Sequence, residues 1–101
     1  MKFNSTPFEG VYTIEIERIF DERGFFARSF CQKEFIKFGL NPNIKQCNIS
    51  FNRKKGTLRG MHFQNPPFEE DKVVSCSRGA IYDVILDLRK TSNTYKQWIS
   101  F

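Results

Sequence analysis

Tyr12-Thr13-Ile14-Glu15-Ile16-Glu17 alternates apolar and polar side chains without interruption. A strand sends successive side chains to opposite faces, so this spelling separates an inner face from an outer one; the 3.6-residue turn of a helix would mix them. The stretch predicts a half-buried β-strand. Moving outward, Asp21-Glu22-Arg23-Gly24 predicts a turn, and Phe25-Phe26-Ala27-Arg28-Ser29-Phe30 the strand that follows it. Residues 32–38 fit a short helix with Phe35 and Phe38 on one face and Gly39 as its left-handed stop, after which Asn41-Pro42 forces a loop.

Residues 44–52 predict a strand with Gln46, Asn48 and Ser50 on one face and Cys47, Ile49 and Phe51 on the other. Residues 57–64 predict another, broken at Gly60, and Asn65-Pro66-Pro67 turns the chain into a loop that reaches Asp71. Residues 72–77 and 81–89 read as β-branched-rich strands around a tight Arg78-Gly79 hairpin turn. Thr91-Ser92-Asn93-Thr94 is a further turn, and residues 95–101 begin a last strand. Seven short strands, one short helix and frequent turns indicate an all-β sandwich or barrel. The last strand carries Trp98, Ile99 and Phe101 and is followed by no tail, so it is either a sheet edge or a piece cut short; truncation is the favoured reading.

A chain of 101 residues makes at most one domain, residues 1–101. With 40% hydrophobic and 27% charged residues, and twelve phenylalanines, its composition is that of a globular protein able to fill a core. No apolar run approaches the ~18 residues of a membrane span, and Met1-Lys2-Phe3-Asn4-Ser5 lacks the apolar stretch of a secretory signal, so a cytoplasmic address is expected by default. Cys31, Cys47 and Cys76 have neither paired zinc spacing nor a disulfide framework and are read as reduced, mostly buried small apolar residues. A net charge of +5 and a pI near 9.3 favour an anionic partner. The basic residues are dispersed, and the one run, Arg53-Lys54-Lys55, falls at a turn, where basic side chains are usually just solvated. Small phosphorylated ligands fit this balance, and nucleic-acid binding is disfavoured.

The single histidine, His62, lies in Gly56-Thr57-Leu58-Arg59-Gly60-Met61-His62-Phe63-Gln64. Histidine suits proton transfer as a residue type, although a lone histidine is more often structural. On strict alternation His62 shares a face with Leu58, Gly60 and Gln64, which leaves space beside it. Gln46 and Asn48 on one neighbouring segment and Lys72 on another supply polar groups. Amides buried without partners cost about 1–3 kcal/mol each, so Gln46, Asn48 and Ser50 line either a wet ligand pocket or bulk solvent. Pattern alone leaves both open.

Several of these stretches together resemble the successive signatures of the dTDP-4-dehydrorhamnose 3,5-epimerase family: Asp21-Glu22-Arg23-Gly24-Phe25-Phe26, Gln46-Cys47-Asn48-Ile49-Ser50, Leu58-Arg59-Gly60-Met61-His62-Phe63-Gln64, Lys72-Val73-Val74 and Arg78-Gly79-Ala80-Ile81-Tyr82-Asp83-Val84. Ser92 and the Tyr95 to Trp98 region fit as well. Each piece is weak, but all are collinear and cover essentially the whole chain. The resemblance implies a cupin, a double-stranded β-helix or jelly-roll barrel that dimerises, here its N-terminal portion and incomplete at the C-terminus. It implies epimerisation at C3 and C5 of dTDP-4-dehydro-6-deoxy-glucose to dTDP-4-dehydro-rhamnose, a step of deoxysugar and lipopolysaccharide biosynthesis that needs no cofactor. His62 would then be the base at both carbons, and Lys72 would donate to the C4 ketone oxygen as it becomes an enolate. Arg23, Phe26, Gln46, Asn48 and Arg59 would hold the diphosphate, sugar and thymidine, with Arg23 reaching the partner subunit's site.

Strict alternation sets Arg59 on the face opposite His62, so both line one pocket only if the strand bulges or bends at Gly60. Asp83 becomes a diagonal neighbour of Lys72 if the hairpin turns at Arg78-Gly79; it either orients the ammonium or forms a plain cross-strand salt bridge. A cupin metal site is not expected, because Gln64 stands where a second histidine is needed. The family's tyrosine acid and the carboxylate partner of its base have no match here, and Tyr12, Tyr82 and Tyr95 do not fit the acid's motif. Arg28 stands where the family often has an acidic residue, which bears on recognition of the base. A non-catalytic cupin module that binds a nucleotide sugar or dimerises, and a single-carbon epimerase, remain the alternatives.

Overall fold

The alternating stretch becomes a strand because it finds a partner. In the computed structural model, which describes residues 1–101, β1 (Lys2–Ser5) pairs antiparallel with β2 (Tyr12–Glu15), with Phe3 opposite Ile14 and Ser5 opposite Tyr12. The polar face of the same pair carries a bond from Asn4 Nδ2 to Glu15 Oε1 at 2.7 Å. The connecting turn closes on Thr6, whose hydroxyl donates to the Val11 carbonyl at 2.9 Å and accepts from the Phe8 N–H at 3.1 Å, and the turn buries Phe8. β3 (Arg18–Asp21) and β4 (Gly24–Ala27) form a second hairpin across Glu22 and Arg23.

The helix α1 (Gln32–Lys37) is only six residues long, and its amphipathic face and its ends account for its stability. Glu34 in the first turn and Lys37 in the last oppose the helix dipole. At the far end Gly39, with φ 71°, lets its N–H reach the Ile36 carbonyl and the Leu40 N–H reach the Phe35 carbonyl, both at 3.0 Å. This is the Schellman arrangement, and it is the left-handed stop expected at Gly39. Phe35, buried, and Phe38 project from one face onto Phe3, with ring centroids 5.5 and 4.3 Å away, and Phe30 closes on Phe35 at 4.7 Å. These rings and Phe8 are the core of the first of two units, formed by Met1–Pro42 with Cys76–Phe101.

In the same unit β5 (Val84–Leu86) pairs antiparallel with β6 (Trp98–Ser100), and the pairing is extended by two backbone bonds between Asp83 and Phe101, at 3.1 and 2.9 Å. At the other end of this ladder Asp87 is buried and saturated. Its carboxylate accepts from the Arg89 N–H, Nε and Nη2, each at 2.9 Å, from Ser92 Oγ at 2.6 Å and from Thr94 Oγ1 at 2.7 Å. The other Arg89 amino group reaches the Glu9 carbonyl at 2.9 Å, tying the loop after β5 to the turn between β1 and β2.

The second unit, Asn43–Ser75, contains no strand or helix. The strands expected over residues 44–52, 57–64 and 72–77 are therefore corrected: these segments make no ladder, because no neighbour within the chain pairs with them. The expected hairpin about Arg78-Gly79 is also absent. Gly79 does turn the chain, with φ 85°, but the following strand pairs with β6 and not with residues 72–77. The expected strand over residues 25–30 shortens to Gly24–Ala27, and that over 81–89 to Val84–Leu86. β1 and β3 form where no strand was expected. Cys47 and Cys76 are exposed and Cys31 half-buried, not mostly buried as expected, since the first two lie outside every ladder. No helix is long and apolar enough to cross a membrane.

The five donors on Asp87, led by Arg89 and then Ser92, hold its carboxyl far below the usual carboxylate range. A carboxyl depressed in the folded state adds stability above its unfolded pKa, about 3.9, and loses it as pH falls toward the folded value. Asp87→Asn should lower the thermal midpoint by a constant amount between about pH 5 and 8, and the gap to the parent should narrow below about pH 4. Thermal unfolding followed by circular dichroism across that range checks this.

Candidate functional site

The expected site residues divide between the two units. Gln46, Asn48, Arg59, His62 and Lys72 belong to Asn43–Ser75, whereas Arg23, Phe26 and Asp83 belong to the other.

In the second unit a basic turn over residues 53–56 is fastened by the Thr57 hydroxyl, which donates to the Lys54 carbonyl at 2.8 Å, and by Gly56 at φ 77°. Beyond it Arg59 folds back: Nε donates to Asn52 Oδ1 at 2.6 Å and Nη2 to the Phe51 carbonyl at 3.4 Å. Gly60 follows with φ 113°, and the segment forms no strand, so the alternation that would have set Arg59 against His62 does not apply. A methyl group on Gly60 would stand 3.5 Å from His62 Nδ1. His62, Gln46 and Asn48 are exposed, and none is buried in an apolar core.

Past His62 the chain turns at Asn65-Pro66-Pro67, where the Phe68 N–H donates to the Asn65 carbonyl at 2.9 Å. That turn returns Glu70 to Gln64, whose Nε2 lies 3.1 Å from Glu70 Oε1. The same oxygen pairs with Lys72 Nζ at 2.9 Å. Lys72, and after it Gln64, hold the Glu70 carboxyl below the usual range.

In the first unit Arg23 stands at the tip of the β3–β4 hairpin. Asp21 Oδ1 accepts the Arg23 backbone N–H at 2.8 Å and Oδ2 accepts its Nη2 at 2.6 Å, so one carboxylate both shapes the turn and aims the guanidinium. Asp21, Arg23, Phe25 and Phe26 line a shallow hollow of about 260 Å³. An exposed ring beside a guanidinium offers a stacking face together with an anion receptor. Asp83 is half-buried and its backbone is paired with Phe101.

Sequence reasoning named the cations and missed their anchors. Asp21 had a local signal, an Asp two residues before an Arg inside a turn. Asn52 and Glu70 had none beyond polarity, because they reach their partners only once the chain turns.

A comparison with protein-family profiles matches residues 5–101 to the family described as dTDP-4-dehydrorhamnose 3,5-epimerase. A protein of that name from Sinorhizobium fredii is 40% identical over 100 residues, covering 99% of this chain and 51% of its own length. Another, from Methanothermobacter thermautotrophicus, is 41% identical over 97 residues, or 96% of this chain and 51% of its own. A dTDP-4-dehydrorhamnose 3-epimerase from Streptomyces niveus is 36% identical over 99 residues, covering 97% of this chain and 47% of its own length. Among solved structures, the dTDP-4-dehydrorhamnose 3,5-epimerase of Bacillus anthracis with TDP and PPi bound superposes with a TM-score of 0.93 at 40% identity, over 99% of this chain and 57% of that one. The chain thus spans about half the length of the curated relatives it matches.

Gly24 sits at φ 136°, and a methyl group on its Cα would find nothing within 4 Å, so a side chain there meets backbone strain and no clash. Gly24→Ala should cost ~1–3 kcal/mol of stability, whereas Glu22→Ala in the same turn should stay within ~0.5 kcal/mol. Urea unfolding of the two variants beside the parent makes the comparison.

Proposed function

This chain belongs to the dTDP-4-dehydrorhamnose 3,5-epimerase family, and from that premise we propose that the protein it forms epimerises dTDP-4-dehydro-6-deoxy-glucose at C3 and C5. The observation that carries this reading is the match over residues 5–101, which includes every residue assigned a role below. The setting is a single cupin domain, of which residues 1–101 are the N-terminal portion, working as a cytoplasmic homodimer in rhamnose biosynthesis without a cofactor. By themselves these residues are not expected to turn over substrate.

A proton on carbon next to a ketone is acidic because the electrons it leaves behind reach the carbonyl oxygen. In the proposed reaction the His62 imidazole takes that proton, first from one carbon and then from the other. The C–H electron pair forms the enolate, and the Lys72 ammonium donates a hydrogen bond to the oxygen that gains the charge. A proton delivered from solvent to the opposite face inverts the carbon, and the imidazolium gives its own proton to solvent before it acts at the second carbon. Arg59 and Arg23 suit the diphosphate, since a planar guanidinium binds two oxygens together. Phe26 supplies a stacking face for the base, and Gln46 and Asn48 supply amides for the sugar and base.

The 36% identity to a 3-epimerase supports a second reading, in which only C3 is inverted. Deuterium uptake from heavy water separates the two: label at both carbons marks the 3,5-reaction, and label at C3 alone the other. In the full-length protein His62→Asn should bind substrate and lose ~10²–10⁴-fold in turnover and exchange. Exchange at the parent rate in that variant would show that another group is the base.

A further inference from the structure

The geometry points to Glu70 as a positioning residue that sets Lys72 in place relative to the segment carrying His62. This inference rests on the reading of Lys72 as the donor to the enolate oxygen.

Glu70 Oε1 is shared: it receives Gln64 Nε2 at 3.1 Å and faces Lys72 Nζ at 2.9 Å. Gln64 lies two residues after His62, on the far side of the Asn65-Pro66-Pro67 turn from Lys72. One carboxylate oxygen therefore ties the base-bearing segment to the oxyanion donor. A lysine needs such a tie more than an arginine does, because its charge sits at the end of four rotatable bonds with no rigid fork. The ammonium has three N–H donors; one goes to Glu70, and two are left for a developing enolate. With the Glu70 carboxyl held below the usual range by Lys72 first and Gln64 second, the tie is charged throughout the neutral range. Both partners are about half exposed, at 49% for Lys72 and 47% for Glu70, so the expected effect is modest.

A double-mutant cycle on the full-length protein tests this, with kcat, KM and solvent-deuterium exchange as readouts. Glu70→Gln should lower kcat and kcat/KM together by about two- to fivefold and leave KM unchanged. In a Lys72→Met background the same substitution should change nothing further, because its effect runs through the ammonium. A loss of equal size in both backgrounds would mean that Glu70 acts on the fold, which overturns the inference. An unchanged kcat in Glu70→Gln, beside a collapse in Lys72→Met, overturns it alone. Full turnover in Lys72→Met removes the role of Lys72 itself, and the inference with it.

Discussion

Twelve phenylalanines are spread along the chain, yet only Phe8 and Phe35 among its apolar side chains are buried. Burial contributes roughly 25 cal/mol per Å² of apolar surface removed from water, and a large part of the available apolar surface makes no such contribution here. Ile49 is 99% exposed and Leu58 91%, and the β3–β4 hairpin shows water an apolar residue on each face, in Phe20 and Phe26. Each of the three sheets has two strands, and a lone two-stranded hairpin is marginal in water. The first unit therefore relies on two devices that need little area: the rings gathered on α1, and the carboxylate of Asp87.

The features legible in the sequence are those decided within a few residues. The Schellman end at Gly39, the paired faces of Phe35 and Phe38, the Asp21 to Gly24 turn and the alternation at Tyr12 all depend on near neighbours. Strand formation over residues 44–52, 57–64 and 72–77 depends on a partner that alternation cannot name. Alternation says which side chains share a face. It does not say what sits across the ladder. The converse holds for β1 and β3. Lys2-Phe3-Asn4-Ser5 has no β-branched residue, and becomes a strand because β2 offers it a register.

The site divides along the same line. Motifs in their order named the candidate residues for the chemistry, and the left-handed backbone at Gly60 is open to glycine alone among them. The partners of those residues were not readable, because Asn52 and Glu70 meet Arg59 and Lys72 only after intervening turns are made. Asp83 was expected to serve as the carboxylate beside Lys72 on the strength of a hairpin that does not form. Glu70, two residues from Lys72, needs no ladder to reach it.

A common pattern links these cations. Arg23 is held by Asp21, Arg59 by Asn52 and Lys72 by Glu70, each through a neighbour at most seven residues away. An anchor this local fixes where the charge sits on its own segment, whatever brings the segments together. It also leaves binding capacity unspent. Asp21 engages one amino group of Arg23, Asn52 engages Nε of Arg59, and Glu70 engages one of the three donors of Lys72. A ligand that presents oxygens in fixed positions can use the remaining donors without breaking the anchor. A long polyanion gains mainly from loose charges arrayed along a stripe. Cations anchored in this way suit the small, shaped anion.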